Sequence, residues 1–238
     1  NNNALPLAAD AKVSTFSSSS VNLVYGGTGS GNIDASTADT LRTALEKVGV
    51  TVNPTLWDFY TVGAGKDYAR SKSGTVAKSA GIDPDVYTDE VKNSVAQYGD
   101  AAIVTLSRVG GEGADLSYGE VNYLALDENE KAMLQNVAEM KKNGIVKKTI
   151  VLINSANALQ VDFLKNNEYD IDAALWIGDV GISGINAVAE ILTGKVNPSG
   201  SLVDTYCYDN FSAPAMWNFT PTTYEGYVEG GDVSAKAK

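Results

Sequence analysis

The chain has 238 residues, 44% of them hydrophobic, and a formal net charge of −11 from 29 acidic and 18 basic side chains. This suffices for one large buried core, and no run approaches the roughly 18 consecutive apolar residues of a membrane span. A negative field disfavours nucleic acid and anionic membrane as partners and suits a neutral ligand such as a sugar. With one cysteine, Cys207, and no histidine, an internal disulfide, a cysteine zinc cage and Ser-His-Asp or Cys-His catalysis are excluded. Acid–base chemistry near neutral pH then falls to carboxylates, Lys, Tyr or Cys. The opening Asn1-Asn2-Asn3 does not read as a secretory signal, which leaves cytoplasmic and secreted settings both open.

Short β-rich runs alternate with helical patterns along the chain, predicting a mostly parallel sheet flanked by helices, a flavodoxin-like three-layer α/β sandwich. Val13–Phe16 reads as the first strand and is followed by a glycine-rich loop, Gly26-Gly27-Thr28-Gly29-Ser30-Gly31. Ser36 or Thr37 is expected to cap a helix running to Val48, with Leu41, Ala44 and Leu45 on its apolar face, before a strand at Val50–Val52. Residues 57–79 are polar and weakly patterned and read as a surface excursion. Asp89–Tyr98 is a helix stopped by Gly99, and Ala101–Leu106 is a buried strand that runs into a loop over Ser107–Gly119.

Asp127 and Glu130 have the spacing of a capping box for a helix to Lys142, whose apolar face is Met133, Leu134, Val137 and Met140. Lys148–Ile153 is a further strand, and a short helix is expected at Leu159–Leu164. Ala173–Trp176 is the next strand, Ile185–Leu192 the next helix, and Leu202–Thr205 a last strand with a buried Cys207 thiol behind it. No domain-splitting linker is visible, so residues 1–238 read as a single domain with an irregular tail from about residue 219.

In such sheets ligands sit at the carboxyl edge, where strands give way to loops. Three loops arrive there: the glycine loop, Ser107–Gly119, and Asn154–Asn157. The glycine loop is not a P-loop, because Asn32-Ile33 stands where a Lys-Ser or Lys-Thr pair is required. The second loop holds Glu112 between Gly111 and Gly113, and glycine on both sides removes steric cover and lets a carboxylate project into a cleft. A solvated loop glutamate fits the same residues. Paired-acid catalysis needs a second carboxylate, and Asp115 is too near in sequence to be an obvious partner. Trp57, Trp176 and Trp217 are possible sugar platforms, though tryptophans are more often buried. Asp83/Asp85 and Asp89/Glu90 lack the spacing of a calcium loop and read as loop and helix-start carboxylates.

The strand and loop through Ser107-Arg108-Val109-Gly110-Gly111-Glu112-Gly113-Ala114-Asp115-Leu116 resemble the acid/base loop of family 3 glycoside hydrolases. Leu124–Leu126 with Asn129–Leu134 resembles the helix that follows that loop, and Thr149–Asn157 the next strand and turn. Gly194-Lys195-Val196-Asn197-Pro198-Ser199-Gly200-Ser201-Leu202 resembles the Gly-x-x-Asn-Pro-Ser-Gly-Arg-Leu element near the end of the family's C-terminal domain. The likeness covers roughly Asn2 to Asn218 and is nearest to β-glucosidase-like members.

The resemblance implies a retaining hydrolase of β-linked sugars that needs no cofactor or metal. Glu112 would be its acid/base, and Arg108 and Asp115 would contact the substrate. In that family the nucleophile is an aspartate on a (β/α)8 barrel domain, for which 238 residues leave no room beside this sheet. The implied partner is therefore a barrel domain of the same enzyme. A face left open without that barrel would favour self-association. Leu116 and Ser201 stand where the family commonly has arginine, so the alternative expectation is a degenerate copy kept for carbohydrate binding or assembly.

Overall fold

The structure, a computed structural model, describes residues 3–68, 77–78, 81–112, 123–218, 224–225 and 236–237. In chain order its main elements are β1 (Lys12–Phe16), α1 (Leu41–Lys47), β2 (Thr51–Val52), α2 (Pro54–Thr61), β3 (Ala77–Lys78), α3 (Asp89–Val95) and β4 (Ala101–Val109). There follow α4 (Glu128–Lys142), β5 (Thr149–Ser155), β6 (Ala173–Trp176), α5 (Gly184–Leu192) and the short α6 (Ala215–Asn218). A two-stranded ribbon, β7 (Tyr224–Glu225) with β8 (Lys236–Ala237), comes last.

The sheet order is β2-β1-β4-β5-β6, all parallel, with β3 added antiparallel along the end of β4. Central strands of a parallel sheet are covered on both faces and so read as continuous apolar runs. β4 and β5 are buried along their full length. Alternate residues serve opposite layers. Val13, Ala101, Ile103, Ile150 and Leu152 pack with α1 and α5, whereas Phe16, Ala102, Val104, Leu106 and Val151 pack with α2, α3 and α4. This is the expected three-layer sandwich. Among the described residues no helix is long and apolar enough to cross a membrane.

Helix α4 begins where the sequence placed it. Asp127 accepts the Glu130 N–H at 2.7 Å, and Glu130 accepts the Asp127 N–H at 3.0 Å. The face toward the sheet buries Met133, Leu134 and Val137 completely, each side chain worth about 1.5–3 kcal/mol of transfer free energy. Helix α1 starts later than predicted. Ser36 is taken up in a turn with the Asp34 carboxylate, and Thr40 forms the reciprocal cap with Thr43 instead.

Three further expectations need correction. Residues 54–61 are a helix, not a surface excursion: Asn53 caps it, Pro54 sits in its first turn, and Leu56, Phe59 and Tyr60 are buried. Residues 69–76 and 79–80 lie outside the described residues. Leu202–Thr205 forms no strand and leaves Leu202 and Val203 55% and 87% exposed, and Cys207 behind it is only half-buried. The short helix foreseen at Leu159–Leu164 is a 3-10 turn at Asp162–Lys165.

Under α2 lies a buried phenol pair. The Tyr60 and Tyr87 hydroxyls are 2.6 Å apart, and Tyr60 also accepts the Ser17 N–H at 2.9 Å. Burial pushes both phenols up from their ordinary value of 10.0. The folded state therefore keeps protons that the unfolded chain releases above pH 10. Stability from this pair is complete below that pH and declines as pH rises past it, by about 1.4 kcal/mol per pH unit for each phenol. Urea midpoints above about pH 10 should fall less steeply for Tyr87→Phe than for the native chain. Equal slopes would show that the pair does not control alkaline unfolding.

Candidate functional site

In the order β2-β1-β4-β5-β6 the chain moves outward from β1 to β2, then returns to β1's other side with β4. The crevice between the carboxyl ends of β1 and β4 is thus the topological switch point, where open α/β sheets bind ligands. The glycine loop reaches it from β1, and Glu112 lies three residues beyond the end of β4.

The two loops meet. The Ser30 N–H donates to Glu112 Oε2 at 2.6 Å, and the Glu112 N–H donates to Thr28 Oγ1 at 3.3 Å. Gly29 sits in this contact with φ of 61°, in a 3-10 turn over Gly29–Gly31. A Cβ on Gly29 would lie 2.8 Å from the Glu112 Cβ and collide with the carboxylate. The glycine loop is therefore a cradle for a carboxylate on its own chain, and glycine is needed there for both space and backbone angle. Glu112 is exposed, and the Ser30 backbone N–H, followed by the Ser30 hydroxyl, holds its carboxyl below the ordinary glutamate range.

Gly29→Ala should expel the carboxylate from the cradle. A carboxyl ¹³C titration is then expected to show Glu112 moving up to the ordinary value of 4.5. An unchanged titration would mean that the cradle does not set its charge.

A second set of contacts fixes the base of the site. Gly110 donates its N–H to Asn157 Oδ1 at 3.0 Å, and Ser155 Oγ is bonded to both the N–H and the carbonyl of Asn157. Trp176, half-buried at the end of β6, donates its indole N–H to the Ser155 carbonyl at 2.7 Å. Asn154 is fully buried; it accepts the Val24 N–H and donates to the carbonyls of Val24 and Gly178. Asn154 lies within β5, which runs two residues further than expected, so one amide ties the loops after β1 and β6 to the end of β5. The sequence brings these loops to one edge but carries no sign of their pairings, because the partners stand 24 and 130 residues away.

Of the other predicted site residues, Arg108 belongs to β4, which runs three residues further than expected, and its side chain is completely buried. Its guanidinium is bonded to Glu130 and to main-chain carbonyls. Asp115 lies outside the described residues. Trp57 is buried, and the Trp217 side chain lies outside the described residues. Asp83 caps a 3-10 turn, while Asp89 and Glu90 occupy the first turn of α3. Among the described residues no cluster of three His, Cys, Asp or Glu side chains could hold a metal ion.

Comparison with known proteins agrees with this architecture. The model of the glycosyl hydrolase family 3 C-terminal domain matches residues 1–234. The chain is 28% identical over 235 residues to a beta-glucosidase of Ruminococcus albus, covering 96% of this chain and 23% of that protein. It is 29% identical over 251 residues to beta-glucosidase A of Butyrivibrio fibrisolvens, covering 97% and 28%. The chain thus spans about a quarter of the length of these relatives. A beta-glucosidase structure from Paenibacillus barengoltzii superposes with a TM-score of 0.78 at 26% identity, over 93% of this chain and 24% of that one. Beta-glucosidase 3B from Thermotoga neapolitana, in complex with glucose, gives 0.76 at 24% identity over 92% and 30%, a likeness of fold. The chain belongs to glycosyl hydrolase family 3, as its C-terminal domain.

Proposed function

We propose that residues 1–238 form one domain that completes the active site of a retaining β-glycosidase, with Glu112 as its acid/base. The nucleophile would stand on a (β/α)8 barrel domain outside this chain, and the substrate would be a β-linked sugar, in keeping with the beta-glucosidases it resembles. The observation that carries this reading is the place of Glu112. It is an exposed carboxylate on a glycine-flanked turn at the switch point, oriented by a main-chain N–H. Asp115, three residues on, is assigned to the sugar site in the same reading.

A retaining enzyme needs its two carboxyl groups about 5–5.5 Å apart across the sugar. One attacks the anomeric carbon. The other protonates the departing oxygen and then takes a proton from water. In this chain alone Glu112 is held ionised, which suits the second role only. A docked barrel would exclude water and bring a like charge near, and both effects raise a carboxyl pKa and enable the first role. Leu116, where the family commonly has arginine, favours a second reading, a degenerate domain that binds carbohydrate or a barrel without catalysis.

The test is hydrolysis of aryl β-glycosides by this chain alone and by the chain mixed with a family 3 barrel domain. Activity confined to the mixture is the expected result. Hydrolysis by the chain alone would overturn the division of labour, and silence in a mixture shown to associate would favour the degenerate domain.

A further inference from the structure

Arg108 and Glu130 form a fully buried ion pair, with guanidinium nitrogens 2.9 and 2.8 Å from the two carboxylate oxygens. Among the described residues, the other guanidinium bonds go to main chain: the carbonyls of Ser107 at 2.8 Å, Ala125 at 2.7 Å, and Tyr123. Every one of the five N–H groups of an arginine is thereby matched with an acceptor. Glu130 is equally committed, since it also accepts the Asp127 N–H that begins α4.

What these bonds join is informative. Arg108 stands four residues before Glu112, whereas Tyr123 and Ala125 follow it in sequence by 11 and 13 residues and Glu130 lies in the first turn of α4. A buried ion pair is a weak source of net stability, because desolvation offsets its attraction. Its geometric consequence is firmer: a planar five-donor fork holds three stretches of chain at fixed separations. We infer that Arg108 and Glu130 are positioning residues for Glu112, fastening both flanks of the segment that bears it, so that Arg108 serves the sugar site without touching the sugar. The inference rests on Glu112 being the acid/base.

The test uses the full chain carrying Arg108→Met with Glu130→Gln. This pair removes both charges together and strands neither, and glutamine at the second position still offers an acceptor to the Asp127 N–H. Backbone hydrogen exchange at Ser30 and Gly110, whose N–H groups mark the seating of Glu112 and of its loop, should quicken roughly tenfold while β5 keeps its protection. Unchanged exchange at both amides in a folded variant overturns the proposal. Should β5 also lose protection, Arg108→Lys, which keeps the buried charge balance but not the fork, decides in the same way.

In the mixture with a barrel domain, the ratio of kcat/KM on a poor leaving group to that on a good one should fall about tenfold. Arg108→Lys should not restore it, since an ammonium cannot span a carboxylate and three carbonyls. A uniform loss on both substrates would mark a structural role only and overturn the inference. If Glu112→Ala itself leaves the ratio unchanged, the acid/base reading has failed, and the exchange result still judges the clamp.

Discussion

Glu112→Ala, assayed with a barrel partner, is expected to lower kcat/KM on alkyl or phenyl β-glycosides by about 10²–10⁴-fold. Dinitrophenyl β-glycosides, whose leaving group departs without a proton, should lose little in the step that forms the glycosyl-enzyme. Breakdown of that intermediate should still slow, because no base remains to deprotonate water. Azide needs no base. It should attack the anomeric carbon, release the nucleophile carboxylate and restore turnover, giving the β-glycosyl azide. In the native chain Glu112 should titrate below the ordinary glutamate value when free, and above its free-chain value once the barrel is docked. Equal losses on both substrate classes, without azide rescue, would remove Glu112 from the acid/base role.

The largest expected effect on stability lies at Asn154. Its amide accepts the Val24 N–H at 2.6 Å and donates to the Val24 carbonyl at 3.0 Å and the Gly178 carbonyl at 2.6 Å. All of this is buried. Asn154→Ala would leave the Val24 N–H and the Gly178 carbonyl without a partner, each costing about 1–3 kcal/mol, for a total of roughly 2–6 kcal/mol, while the Val24 carbonyl keeps the Val180 N–H at 3.3 Å. Urea unfolding should show this as a lower midpoint at unchanged slope. Asn154→Asp should be at least as harmful, since a carboxylate offers no donor to either carbonyl. A loss below about 1 kcal/mol would mean that water replaces the amide and that the loops after β1 and β6 are not tied to β5 through it.

Much of this fold was legible because its signals are local. The capping box at Asp127 and Glu130 lies within four residues, the stop at Gly99 needs one, and the buried strands at Ala101 and Lys148 announce themselves by unbroken apolar runs. Glu112 stood out for a local reason too, the glycines beside it. The helix over 54–61 was within reach, since Asn53-Pro54 is a helix-start pair, but the polar stretch after it hid the pattern.

Local signals failed where polar residues are buried or apolar ones exposed. β4 continues through Ser107 and Arg108 because Ser19 and Glu130, 88 and 22 residues away, supply their partners. Leu202–Thr205 has strand-like composition but no neighbouring strand among the described residues to pair with, and propensity alone does not make a strand. The cradle of Glu112 depends on a main-chain N–H 82 residues distant. The sequence by itself determined the class of fold and singled out Glu112 between its glycines, because periodicity, caps and flanking glycines act over a few residues. Only the tertiary structure decided that Arg108 is buried in an ion pair with Glu130, that the glycine loop seats a carboxylate, and that Asn154 joins two loops to β5, because a polar group is stable in the interior only with partners that the folded chain brings from afar.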